Sequence, residues 1–526
     1  MRFYPKARKE RPSKDDPSVR PVRLAVLKAV TINLILLQIL FLGLFCYLFG
    51  SLFQETDHVH NFNILFVDYD GGPIGAAVRS GYETLQGPSF PSLMERPTSA
   101  YPQPGSITSA VCDINYWGAL YTTPNASDRL TAALAGGPAA SSYNQSNVLV
   151  VVWNQARYPT VIDSAVFDTM KALSDAARVA YSLATARQAI QTSLNSSDPA
   201  ALAAFSDPWT LASVNLQPTS QGSRVIYNTL CIILILIQEF FYLGYVNGVY
   251  MQFKLYTTVT PHRIAVVRQI ISGVYTFVGS LCTTGAIWAF RSGWDVNAYQ
   301  FLLCWMALWL FAHLNFVILD VFTIWISPPF VPMALISWIV LNVTSVLLPF
   351  ELSPGFYKWG YALPAHSVFN VLIDIWSHGC NPQLYYALPV LFVYEVVGVI
   401  LSSIGVYRRA HYAVLKQEAE EKSCDDRAAA ILSEHQQQQQ QEEEEEEESS
   451  LTQEDTIHEA SDIGDSEEIG RETTRPMRRR RATVTALEGQ NELADMLRRE
   501  ITRSEMERVT SSRDNTGPSF EVPFVS

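Results

Sequence analysis

The chain has 526 residues, 48% of them hydrophobic, and a formal net charge of −13. That charge sits at one end: residues through Arg408 carry 23 Lys and Arg against 22 Asp and Glu, and Arg409 onward carries 15 against 29, so the whole-chain charge says nothing about partners. Seven cysteines, none in a CxxC spacing, argue against a zinc site or a redox motif, and no metal or cofactor is expected.

Residues 1–23 are basic, with Arg2, Lys6, Arg8, Lys9, Arg11, Lys14, Arg20 and Arg23, which places the N-terminus in the cytosol. The first apolar stretch, near 24–50, is too long for a signal h-region of about 7–15 residues and reads as a retained signal anchor. Five more stretches reach the roughly 20 residues needed to cross a bilayer core: near 226–250, 264–290, 299–326, 331–349 and 386–408. Six crossings return the C-terminus to the cytosol. The expected fold is an α-helical polytopic membrane protein with an exoplasmic α+β domain over 51–225, a five-helix transmembrane domain over 226–408, and a mostly disordered acidic cytosolic tail over 409–526.

Within the exoplasmic segment, Asn63–Val67 and Val148–Val152 read as buried strands, Pro73 to Leu85 as a helix, and about 164–194 as a second helix rich in alanine. Asp68 and Asp70, followed by Gly71 and Gly72, suit a tight turn; they could also face a cation, but the ligand series of a calcium loop is missing. Three sequons, at Asn125, Asn144 and Asn195, are glycosylation candidates and agree with a lumenal location. Cys112 and Cys380 are the two cysteines expected in an oxidising compartment, which makes them a candidate disulfide, with free or differently paired thiols as the alternative.

Ionisable residues inside spans are costly and are functional candidates by default. Glu239, His313 and Glu395 fall near mid-bilayer. Two readings stand for them: a polar pathway for protons or for a polar group on a substrate, or hydrogen bonds between helices, aided by Gln238, Asn247 and Asn315. Arg268 and Asp320 lie toward the cytosolic ends of their spans and form a candidate structural ion pair. Trp288, Trp294, Trp325, Trp359 and Trp376 read as interface anchors.

The cytosolic loop 251–263 is short, polar and basic, a plain connector or a docking point for a separate ATPase. No G-x-x-x-x-G-K-[ST] is present, so the chain has no P-loop of its own. In the tail, Gln436–Gln441 followed by Glu442–Glu448 is low-complexity, and about 411–484 is expected to be disordered. Thr483 after Arg478–Arg481 is a candidate phosphorylation site, and 485–508 a short amphipathic helix.

Trp153-Asn-Gln-Ala-Arg-Tyr158, Gln238-Glu-Phe-Phe-Tyr-Leu243 and Pro354-Gly-Phe-Tyr-Lys-Trp-Gly-Tyr-Ala-Leu-Pro364, with one span, a large domain and then five spans, resemble the fungal nitrosoguanidine-resistance family of membrane proteins. Its conserved region is classed as a domain of unknown function, and its layout is similar to the membrane domains of type-2 ABC exporters. The resemblance covers about residues 25–408. It implies resistance to toxic compounds, by export or through plasma-membrane lipid distribution, and brings no catalytic residues. No enzyme is expected. The partners expected are membrane lipids, a separate ATPase or other membrane protein, and a second copy of the chain, with no nucleic acid; the alternative function is a non-transporting scaffold or regulator of transporters.

Overall fold

The computed structural model describes residues 19–219, 229–291 and 294–459, with Pro17 and Tyr227. Most of the basic N-terminus, Thr483 and the 485–508 segment lie outside the described residues. The chain divides into two compact units: residues up to Phe240 with Gln269–Leu401, and Phe241–Arg268 with Ser402 onward.

The first unit begins with helix α1 (Val19–Ser51). Its side chains are apolar on every face and largely exposed, the pattern of a helix whose solvent is lipid. At its end Tyr47 packs against Phe356, Tyr357 and Trp359, and the Tyr357 hydroxyl donates to the Tyr47 carbonyl at 2.8 Å.

A five-stranded sheet follows, built from β1 (Asn63–Asp68), β2 (Ser92–Glu95), β3 (Gly118–Thr122), β4 (Leu149–Trp153) and β5 (Leu211–Asn215) in the order β2-β1-β3-β4-β5. Three pairings are parallel and only β3–β4 is antiparallel. The arrangement is therefore closer to α/β than to the expected α+β. The two strands read from sequence are the β-branched apolar runs; β2, β3 and β5 are short and mix small or polar residues, so they carry little periodic signal.

Both faces of the sheet are covered, as parallel strands require. Leu65, Val67, Ala119, Tyr121, Val150 and Val152 pack on one face against Ile107, Ala110 and Val111 of α3 (Pro104–Cys112). The alternating residues Ile64, Phe66, Leu120 and Val151 are fully buried on the other face. There Gly118 leaves room for Val166; a Cβ on it would lie 2.8 Å from the Val166 side chain. Helix α2 (Pro73–Leu85) packs on α4 (Thr169–Gln188) so closely that a Cβ at Gly81 would meet the Ala177 backbone nitrogen at 2.9 Å. The alanine-rich helix is flanked by π-helical turns at Asp163–Asp168 and Ala189–Ser193, which account for the longer helix read from sequence.

The β1–α2 loop closes by turn chemistry. Asp68 accepts hydrogen bonds from the Thr122 hydroxyl (2.7 Å) and the Gly71 N–H (3.0 Å), and pairs with Arg79 at 2.8 Å. Burial alone would raise the Asp68 carboxyl, but those partners together hold it below its ordinary value. Asp70 is taken by Ser127, whose N–H donates at 2.7 Å.

Five further helices are long: α5 (Leu230–Gln252), α6 (Pro261–Ala289), α7 (Ala298–Trp325), α8 (Val331–Leu347) and, after α9 (Pro364–Trp376), α10 (Leu384–Glu459). With α1, six helices among the described residues are long and apolar enough to cross a membrane; α9, with 13 residues, is not one of them. The indoles of Trp305 and Trp309 donate to the Phe277 and Gly273 carbonyls at 2.9 and 3.1 Å, joining α7 to α6. Asn315 accepts from the Trp338 indole at 2.9 Å, joining α7 to α8.

Two expectations are corrected. Trp294 and Trp376 are buried and pack edge-on at 5.1 Å, so they are core residues and not interface anchors, whereas Trp325 and Trp359 are exposed. Helix α10 runs without a break through Glu459, into the stretch read as disordered. Its Ala, Lys, Arg, Gln and Glu residues are strong helix formers. The residues from Lys416 to Gln441 whose side chains are described are almost all exposed.

The second unit has its own core. Val246, Tyr250, Tyr256, Ile264, Ala265 and Val406 are buried together, with Tyr256 on the single helical turn Leu255–Thr258.

Candidate functional site: an intramembrane polar pair in an apolar cavity

His313 is on α7 and Glu395 on α10. Eighty-two residues separate them in sequence, and the fold sets His313 Nδ1 2.6 Å from Glu395 Oε1. The other ring nitrogen, Nε2, lies 3.1 Å from the Ser272 hydroxyl of α6, which also donates to the Gln269 carbonyl at 3.0 Å. The side chains of the pair are 13% and 19% exposed, and Glu395 Oε2 is buried with no hydrogen-bond partner among the described residues.

These contacts close in two proton inventories. With a neutral imidazole, Nδ1–H donates to the carboxylate and Nε2 accepts the Ser272 proton. With one proton more, both ring nitrogens donate, Ser272 turns its proton to Gln269, and an imidazolium–carboxylate pair results. The same heavy-atom geometry serves both hydrogen-bond patterns.

The pair stands at one end of a cavity of about 740 Å³. Leu303, Met306, Leu310, Leu388 and Phe392 form its apolar walls. Asn297, Gln300, Asp374 and His378 line the other end. Between Asn297 and His313 the cavity follows α7 for about 24 Å at 1.5 Å per residue. Gln300 is held there by donating to the Ile375 carbonyl at 2.8 Å. Burial raises the Asp374 carboxyl above its ordinary value, against the hydrogen bond from the Asn381 N–H at 3.2 Å. The volume lies within the range of small-molecule sites, about 300–1,000 Å³, and a largely apolar wall with polar groups at both ends matches an amphiphile.

Of the three central candidates, the structure brings His313 and Glu395 together. Glu239, on α5, is buried with its Oε2 unpartnered among the described residues and does not line this cavity. Arg268 donates to Asn247 at 2.7 Å and lies over the Tyr250 ring at 5.5 Å. Asp320 is fully buried, with the Thr323 hydroxyl at 3.4 Å from its carboxylate. Arg268 and Asp320 fall in different compact units. Asn125, Asn144 and Asn195 are all exposed. Cys112 and Cys380 are joined in a disulfide. Ser272, Gln300, Asp374 and His378 escaped the sequence reading because serine is common in membrane helices and because α9, which carries Asp374 and ends just before His378, is too short to register as a span.

Fold and site together define a multi-pass α-helical membrane protein with an α/β domain between its first two spans. The chain belongs to the family described as "Protein of unknown function (DUF3533)", which it matches over residues 33–400. A Saccharomyces cerevisiae relative, described as an uncharacterized endoplasmic reticulum membrane protein, is 23% identical over 398 residues, covering 68% of this chain and 75% of the relative. No solved structure matches the chain.

Proposed function

We propose that this is a transporter-like protein that takes up an amphiphilic compound or lipid in the α7–α9–α10 cavity and engages its polar group with His313 and Glu395. One observation carries the reading: a hydrogen-bonded His–carboxylate pair, with one carboxylate oxygen unpartnered among the described residues, lines a cavity large enough for such a ligand. Burying ionisable groups within a membrane span is costly and is retained where they serve substrates or protons. The biological consequence would be resistance to toxic compounds, by export or by altered lipid distribution, as the resemblance to the nitrosoguanidine-resistance proteins and to exporter membrane domains implies. The protein would not be an enzyme. A separate ATPase, another membrane protein or a second copy of the chain are the partners in keeping with it.

The proposed topology has both termini cytosolic and the α/β domain exoplasmic. Support comes from the basic N-terminus, three exposed sequons and a disulfide, a bond formed in oxidising compartments. The plasma membrane is the proposed site; the yeast relative's description favours the endoplasmic reticulum as the alternative.

A second reading, a scaffold or regulator of other transporters, is favoured by the exposed extension of α10, which lies beyond the family match. Reconstitution into liposomes separates the two. Drug efflux or lipid scrambling that falls at least about tenfold in Glu395→Gln supports transport. No movement of any tested compound, with a resistance phenotype still present in cells, supports the regulator.

A further inference from the structure

The segment after β4, Asn154–Tyr158, carries the buried side chains of Arg157 and Tyr158 toward the helix ends of the same compact unit. Arg157 is 7% exposed, with its guanidinium 3.9 Å above the Trp117 ring; Tyr158 is 5% exposed and packs edge-on against Phe369 at 5.0 Å. Arg157 Nη1 and the Tyr158 hydroxyl are both buried without a hydrogen-bond partner among the described residues. Both residues line one small cavity of about 40 Å³.

The remaining lining residues limit what the cavity accepts. His366 Nδ1 bonds the Ser345 carbonyl at 3.0 Å, and burial lowers this imidazole to about 4, so at neutral pH it adds no charge. Asn370 spends its amide N–H groups on the His366 carbonyl (3.0 Å) and the Tyr386 hydroxyl (3.1 Å). Burial lowers Arg157 to about 10, which leaves it cationic at neutral pH. The cavity thus offers a guanidinium N–H and a phenolic O–H, each short of an acceptor. Glu351 also faces the cavity and already acts on Arg157 as a counter-charge, so an entering anion competes with Glu351 for the guanidinium and can carry no more than one negative charge.

We propose that Arg157 and Tyr158 bind a singly charged oxyanion of phosphodiester chemistry, supplied either by a lipid headgroup or by a free anion. A guanidinium donates charge-assisted hydrogen bonds to phosphate oxygens. A cavity this size takes a group of a few heavy atoms, with the rest of a lipid remaining outside. The site is separate from the His313–Glu395 cavity and does not rest on the transport reading.

The test uses the full chain, purified and delipidated in detergent, with two probes. Dimethyl phosphate represents the free anion and is titrated by thermal shift. Dioleoylphosphatidylethanolamine, against dioleoylglycerol, represents the headgroup and is scored by native mass spectrometry. Binding of either phosphodiester, at least tenfold weaker in Arg157→Gln and severalfold weaker in Tyr158→Phe, supports the site. Lipid retained where dimethyl phosphate is not identifies a headgroup; the reverse identifies a free anion. If Arg157→Gln does not fold, Tyr158→Phe, which removes one oxygen and keeps the ring, decides alone. No binding of either probe, or equal binding by wild type and Tyr158→Phe, overturns the proposal and leaves a cavity that holds water only.

Discussion

Cys112, the last residue of α3, is bonded to Cys380, 268 residues further along the chain and just before α10. Around that bond the Asn154 amide donates to the Cys380 carbonyl at 3.2 Å, and the Asn381 amide donates to the Asn370 carbonyl at 3.0 Å. The bond ties the sheet domain to the approach of the last span within one compact unit, next to the buried Arg157–Tyr158 segment.

Removing this crosslink frees a long loop in the unfolded chain. Cys112→Ser with Cys380→Ser is expected to cost about 2–5 kcal/mol, read as a lower thermal midpoint in detergent. Non-reducing peptide mapping should recover the two cysteines in one crosslinked peptide. Recovery of Cys112 as an alkylated free thiol would contradict the pairing.

Glu395→Gln keeps the side-chain volume and removes the charge facing His313. A loss of about 1 kcal/mol is expected, because the glutamine oxygen still accepts from Nδ1–H but the charge assistance is gone. His313→Ala with Glu395→Gln should cost less than the sum of the single changes, since the two residues share one contact. Full additivity in a double-mutant cycle would show that the contact contributes nothing.

At Gly81 any larger side chain meets the backbone of α4. Gly81→Ala is expected to destabilise by about 1–3 kcal/mol through overpacking, although alanine is the better helix former. Gly71→Ala offers a contrasting case, because its cost would come from a backbone φ of +64 with nothing within 4 Å. Both are read by urea or thermal unfolding.

His366 sets a pH dependence. Its folded value of about 4 lies below the ordinary 6.5 because burial disfavours the cation. Between those values the unfolded chain binds more protons than the folded one, so stability falls as pH drops from 6.5 toward 4. The full effect is about 3 kcal/mol. The thermal midpoint should decline over that window in wild type and decline less in a folded His366→Gln variant.

Asn125, Asn144 and Asn195 are exposed on the sheet domain. If the domain is exoplasmic, treatment with a glycan-removing amidase should shift the electrophoretic mobility of protein from eukaryotic cells, and the shift should vanish when all three are changed to Gln. An unshifted wild type whose sequons remain unmodified by peptide mapping would count against that orientation.

Sequence alone determined the six long apolar helices. A span must satisfy its own backbone in lipid and cover itself with apolar side chains, so six long apolar runs are visible without any partner. Strands β1 and β4 and helix α2 were legible for a similar local reason: an apolar run with Gly or Pro punctuation. Contacts between distant segments were decided by tertiary structure. His313 and Glu395 each stood out as an ionisable residue in an apolar run, but only the packing of α7 beside α10 shows that they touch and that Glu239 stands apart. Arg157 gave no local sign of being buried, because its burial depends on distant neighbours such as Trp117 and Glu351. Local chemistry writes periodicity into the sequence; a site assembled from segments hundreds of residues apart leaves no such period, and it exists only once the chain has folded.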